Sequence, residues 1–182
     1  MKNQMQKIGC VVGLVALLLT SPTADAAPEP QLCAELELRA ALLFRVGTAS
    51  LYLPDCARAE DQVIDRVPKQ FSLELARSLA GDDLIESAVE TLRKNLELAD
   101  GAALPEPLDC LARAYIDVEA GDRYDVIYDP EDGLALYLNN EPLKYCPDDG
   151  RAELYFLIWF GEEPFHRRMR DELLKRSQTG RS

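Results

Sequence analysis

The spacing of hydrophobic residues changes along the chain, and the order of these changes limits the folds available to it. In "KQFSLELAR", Phe71, Leu73 and Leu75 alternate with polar residues, which is the period of a half-buried β-strand. In "GDDLIESAVETLRKNLELADG" the apolar residues fall on one helical face, and Gly101 is expected to stop the helix. A strand is therefore followed directly by an amphipathic helix.

Further strands are predicted on both sides of this pair. The stretch "LRAALLFRVGTASLYL" predicts two strands with a bend at Gly47, where the backbone can bend or bulge without a Cβ. Asp55 is a candidate N-cap of a short helix or turn that ends at Pro68. After the connector "ALPEPLD", residues 110–145 predict a meander of strands joined at "AGD", "DPEDG" and "NN".

The C-terminal part predicts helices. Gly161 is expected to end one of them, and Pro164 is expected near the first position of the next. The final "SQTGRS" is typical of a disordered tail. Strands, helix, strands and helices in one short chain predict an α+β fold, an antiparallel sheet packed against helices.

The first 26 residues predict a secretory signal peptide. Lys2 and Lys7 precede the apolar run "IGCVVGLVALLLT", and "ADA" supplies a small-x-small cleavage pattern. The run is shorter than the roughly 20 residues that span a bilayer. We therefore expect a periplasmic or secreted protein without a membrane span after cleavage, with one domain over residues 27–175 and a tail over 176–182.

Four cysteines remain after cleavage, an even number in an exported protein, which predicts two disulfides. Four cysteines allow three connectivities. Cys33 and Cys56 bracket the predicted first hairpin, which favours their pairing and leaves Cys110 with Cys146. A zinc site is disfavoured because the chain has no CxxC motif and His166 is its only histidine.

Several function classes are disfavoured by charge and motifs. A formal net charge of −12 repels the phosphate backbone of nucleic acids. The chain has no glycine-rich phosphate loop, HExxH or GxSxG motif, so no cofactor, metal or catalytic group is predicted. His166, within "HRRMR", is expected on the exposed basic face of the last helix. Acidic residues cluster where turns and helix starts favour them.

Two arginines in the first predicted hairpin remain as candidate binding residues. Arg45 lies beside the predicted turn and is expected to face solvent. Arg39 has two interpretations: a clamp for a ligand carboxylate, whose two oxygens match the guanidinium fork, or an ion pair with an acidic neighbour such as Glu37.

Several segments resemble, in order, the small exported bacterial branch of the chalcone isomerase-like family. They are the first hairpin, "PKQFSLEL", "AGDRYDVIYDPEDGLALYLNNEPL" and "LYFLIWFGEEPFHRRMRDELL". The resemblance implies an open-faced antiparallel sheet backed by helices, with a ligand cleft between sheet and helices. It also implies one of two functions: cyclisation of chalcones, or non-catalytic binding of fatty acids in which an arginine and a tyrosine hold the carboxylate.

The resemblance also implies candidate ligand contacts. Arg39 matches the family arginine, Thr48 is the hydroxyl nearest the position of the catalytic threonine, and Tyr52 follows on the same strand. The glycine that the family has two residues before its arginine is Glu37 here. No active-site tyrosine or asparagine of the plant-type enzymes is matched by motif.

Three hypotheses follow. The first is an exported, non-catalytic protein that binds a small amphipathic or fatty acid in the cleft, with Arg39 as anion clamp. The second is an isomerase or intramolecular lyase acting on an enone. The third is a structural or interaction module without a small ligand. The sequence does not indicate an oligomeric state.

Overall fold

The computed structural model describes residues 28–40 and 44–180, so the predicted signal peptide lies outside the described residues. Six antiparallel strands form one sheet in chain order: β1 (Gln31–Ala40), β2 (Phe44–Leu53), β3 (Lys69–Leu75), β4 (Arg123–Asp129), β5 (Gly133–Leu138) and β6 (Glu141–Cys146). The helices of the described ranges are α1 (Ala59–Gln62), α2 (Gly81–Asn95), α3 (Glu106–Ala112), α4 (Leu157–Phe160) and α5 (Arg167–Thr179). Short 3₁₀ helices cover Cys56–Arg58 and Ala152–Phe156.

The two faces of the sheet differ in polarity, as strand alternation requires. Leu51, Phe71 and Val126 point to the helices and are buried in the hydrophobic core. On the opposite face, the Ser72 hydroxyl donates to Asp125 Oδ1 at 2.5 Å, in a polar cluster between β3 and β4. The predicted α+β fold, an open-faced antiparallel sheet packed against helices, is confirmed.

The first hairpin reverses earlier along the chain than the sequence predicts, because β1 ends at Ala40 and β2 already begins at Phe44. β1 and β2 are joined through residues 41–43, which lie outside the described residues, whereas Gly47 lies inside β2. Gly47 pairs with Leu38 on one side and with Leu75 on the other. A Cβ at this position would lie 2.2 Å from the Glu74 carbonyl oxygen. The glycine is therefore required by close strand approach and not by a turn.

We expect Gly47→Ala to lower the free energy of unfolding by about 1–3 kcal/mol, the usual range for added bulk in a packed region. The reason is that the obstructing atom belongs to the β3 backbone and can move only if the two strands separate. Chemical denaturation of both proteins measures the difference. An unchanged midpoint would show that β2 and β3 are not held at this spacing.

Two helix boundaries differ from the prediction. Helix α2 ends at Asn95 rather than near Gly101, and Glu97 turns the chain with φ of 50°. The sequence predicts a connector and the start of a strand where the structure has helix α3. Pro105 is the N-cap of this helix and Pro107 lies in its first turn, where proline is tolerated because N–H groups have no helical partner there. Leu108 is fully buried and anchors α3 to the core.

Helix α5 begins and ends later than predicted. It starts at Arg167 instead of near Pro164, because the Phe165 N–H donates to the Ile158 carbonyl at 2.7 Å and holds that residue outside the helix. At the other end it continues to Thr179, since Ser177 is buried and still packs against the protein. The disordered tail predicted over 176–182 is therefore wrong for residues 176–179, and residues 181–182 lie outside the described ranges.

Two disulfides tie the sheet to the helical layer, with the connectivity that the sequence favoured. Cys33 is joined to Cys56, and Cys110 to Cys146. The pairing of β1 with β2 skips Cys33. This bulge places Cys33 among the buried residues, where it can reach the 3₁₀ helix at Cys56.

Candidate functional site

A groove with a volume of about 420 Å³ lies between edge strand β1 and helix α5. Helix α5 packs against β1 because Met169 and Leu173 lie on one helical face and are buried. At the far end of the groove Arg176 donates a 2.7 Å hydrogen bond to the Glu35 carbonyl, which ties the helix to the strand. The edge strand and the helix therefore form the two walls of the groove.

The groove combines apolar surface with positive charge. Leu36 and Leu38 of β1 are half-buried along it, and Met169 of α5 is buried. The charged or polar residues that line it are Glu37, Arg39, His166, Arg168, Glu172 and Arg176. The lining is therefore mainly charged, with a short apolar strip on β1, a combination that could hold a small molecule with an acid group and a short apolar part.

Arg39 lies at this groove and outside the protein interior. Its side chain is 58% exposed and its Nε donates to Glu37 Oε1. The ion pair agrees with the second interpretation of Arg39 from the sequence. Arg39 still lines the groove, and an exposed ion pair of this kind contributes little net energy.

Thr48 and Tyr52 do not line the groove. Thr48 lies on β2 opposite Glu37, two residues along the sheet from Arg39. Tyr52 is opposite Gln70, seven residues from the β2 residue that pairs with Arg39, or about 23 Å along the strand. The structure therefore brings Thr48 near Arg39 and separates Tyr52 from both.

The α5 side of the groove was not predicted from the sequence. Arg168, Glu172 and Arg176 recur every fourth residue and so share one helical face. The spacing is present in the sequence, but "HRRMR" by itself predicts a solvated basic surface. The long-range contact of α5 with β1 was not predictable from the helix pattern alone.

His166 has a structural role that the sequence did not indicate. It is the N-cap of α5, and its Nδ1 accepts a 3.0 Å hydrogen bond from the Met169 N–H. It was expected on a helix face, but it ends the preceding loop and fixes where α5 begins. An imidazole that accepts at Nδ1 satisfies one of the unpaired N–H groups of a helix start.

The apolar cleft between sheet and helices is small. Its volume is about 70 Å³, and it is bordered by Leu73 and Ala88 and by aromatic rings. Phe71 stacks on Trp159 with ring centroids 4.2 Å apart and fills the centre of this layer. Burial raises the pKa of the Tyr115 hydroxyl, which accepts a 3.2 Å hydrogen bond from Tyr155. This space is well below the 300 Å³ or so of a small-molecule pocket, and Arg39 does not reach it.

Lys69 is a fully buried amine at the start of β3. Its Nζ donates to the Gln62, Val63 and Asp65 carbonyls at 3.1, 3.1 and 2.6 Å. Burial lowers the pKa of Lys69 to about 7, against the opposing influence of the Glu153 and Asp65 carboxylates. Lys69 does not line the groove. Its three hydrogen bonds indicate that it stabilises the loop after α1.

Over the described ranges, no three His, Cys, Asp or Glu side chains are grouped so as to hold a metal ion. No helix in those ranges combines the length and hydropathy that crossing a bilayer requires.

The fold and the groove define an α+β protein with an open-faced antiparallel sheet and an arginine-lined site at its edge strand. A family model described as chalcone isomerase-like matches residues 36–175, and the chain belongs to this family. A crystal structure of a fatty-acid binding protein from Arabidopsis thaliana has a similar fold, with a TM-score of 0.59 and 13% sequence identity. The alignment covers 84% of this chain and 90% of that one. No curated protein sequence matches the chain.

Proposed function

We propose that this protein is an exported, non-catalytic member of the chalcone isomerase-like family that binds a small amphipathic acid. The groove between β1 and α5 carries the proposal, because Arg39 lines it together with the half-buried, apolar Leu36 and Leu38. The acid group would bind Arg39, and the apolar chain would cover the two leucines. A fatty-acid binding protein with a similar fold supports the same ligand class.

Export is supported by the signal-like first 26 residues and by two disulfides, which persist in oxidising compartments. The non-catalytic part of the proposal is supported by the groove residues. Within the described part of the groove, the imidazole of His166 is engaged in capping α5 through Nδ1. Oxa-Michael cyclisation needs donors aimed at the developing enolate, and neither Thr48 nor Tyr52 lines the groove.

The test is binding of dodecanoate to the full mature chain, measured by calorimetry with Arg39→Gln beside the unchanged protein. We expect the variant to bind at least about tenfold more weakly, because a charge-assisted hydrogen bond contributes about 1.5–3 kcal/mol. Arg58→Gln is the matched control, since Arg58 is equally exposed and pairs with Asp61 away from the groove.

Equal affinity of Arg39→Gln and the unchanged protein would contradict the role of Arg39. Absence of dodecanoate binding to the unchanged protein would contradict the proposed carboxylate ligand. Turnover of a chalcone substrate that is lost in Arg39→Gln would instead favour an isomerase.

A further inference from the structure

Three arginines of the described ranges line the groove. Of these, Arg168 alone has no ion pair and no side-chain hydrogen bond within the described part of the chain. Arg39 pairs with Glu37, and Arg176 donates to the Glu35 carbonyl. The planar guanidinium of Arg168 therefore has its full set of five N–H donors for a bound anion. Its neighbour Met169 is buried, which fixes the helix backbone beneath it.

Arg168 lies level with Arg39 along the groove. Two turns of α5 separate Arg168 from Arg176, about 12 Å along the helix axis. Four residues separate Glu35 from Arg39, about 13 Å along β1. Since Arg176 contacts Glu35 and all three arginines line the groove, the first turn of α5 and Arg39 lie at the same end.

The charges at this end select among anionic headgroups. Glu37 and Glu172 also line the groove and oppose any anion, so a ligand must displace Glu37 from Arg39 to bind there. A carboxylate has two oxygens and satisfies one guanidinium fork. A phosphate monoester carries nearly two charges and three acceptor oxygens, which is enough for two guanidinium groups.

We infer that Arg39 and Arg168 form a two-arginine clamp whose preferred ligand is an alkyl phosphate monoester in place of a simple carboxylate. This inference rests on the proposed function, because it names the headgroup class of the same groove. The apolar chain of the ligand covers Leu36 and Leu38, and the phosphate bridges the strand and the helix.

The experiment compares dodecyl phosphate, dodecanoate and inorganic phosphate by calorimetry at about pH 8, where the phosphate monoester is doubly charged. We expect dodecyl phosphate to bind at least about fivefold more tightly than dodecanoate, and inorganic phosphate to bind more weakly than either. Arg168→Gln should lower the affinity for dodecyl phosphate about tenfold and the affinity for dodecanoate much less.

Arg167→Gln is the matched control, because this neighbouring arginine contacts Glu162 and Glu163 and does not line the groove. Equal affinities for the two amphiphiles, or dodecyl phosphate binding unaffected by Arg168→Gln, would overturn the clamp and leave the proposed function standing. If neither amphiphile binds, both the proposed function and the clamp are overturned. Inorganic phosphate binding as tightly as dodecyl phosphate would overturn the alkyl ligand.

Discussion

The free energy of unfolding should rise as the pH is raised from about 7 to about 9.5, by about 3 kcal/mol. Burial lowers the pKa of Lys69 from its usual 10.5 to about 7 in the folded protein. Between these two values the unfolded chain keeps a proton on this amine and the folded chain does not. Raising the pH therefore favours the folded state, and the dependence ends as the pH falls through 7, where both states are protonated.

The measurement is urea denaturation across this pH range, compared with Lys69→Met. Methionine is unbranched and apolar, so it fills much of the space of the lysine stem. The variant leaves the carbonyls of Gln62, Val63 and Asp65 without the amine donor, so its stability is lower near the upper pH limit. Its stability should, however, no longer rise with pH.

A second measurement keeps the prediction testable if Lys69→Met does not fold. Lysine side chains labelled with ¹⁵N and ¹³C in the unchanged protein report each amine separately in an NMR titration. One lysine should titrate near neutral pH. If all lysines titrate near their usual pKa and the stability is flat over this range, the buried amine is more strongly stabilised as a cation than its surroundings indicate.

Lys69 also shows how far the sequence could predict this molecule. The alternation of Phe71, Leu73 and Leu75 predicted β3 correctly, because a strand with one buried face has a period of two wherever it packs. The same pattern placed Lys69 at the start of that strand. Nothing in the local sequence indicated that its amine would be buried, since the three carbonyls that receive it come from the preceding loop.

The candidate site was predictable on one side only. Arg39 was identified from its contrast with apolar neighbours and from the family resemblance, and it does line a groove. Arg168 and Arg176 were missed because their importance depends on where α5 docks, and that is set by the burial of Met169 and Leu173 against distant elements. Tyr52 was grouped with Arg39 by proximity in sequence, but antiparallel pairing carries it to the far end of β2.

Removing the Cys110–Cys146 disulfide should lower the free energy of unfolding by about 4 kcal/mol, the largest effect expected for a change outside the groove. The bond joins α3 to the end of β6 across a sequence separation of 36 residues. The loop that the bond closes contains the residues of β4, β5 and β6. In the unfolded chain, the bond therefore restricts the conformations of the segment that forms half of the sheet. In the folded protein Cys146 is fully buried, and α3 contacts both β5 and β6.

The variant Cys110→Ala/Cys146→Ala removes the bond without leaving an unpaired thiol, and guanidinium denaturation measures the loss. The matched control is Cys33→Ala/Cys56→Ala, which opens a separation of 23 residues and should cost slightly less, about 3 kcal/mol. Hydrogen exchange separates the two: the first variant should lose protection in α3, and the second in β1. If Cys110→Ala/Cys146→Ala unfolds at the same denaturant concentration as the unchanged protein, packing alone holds α3 to the sheet.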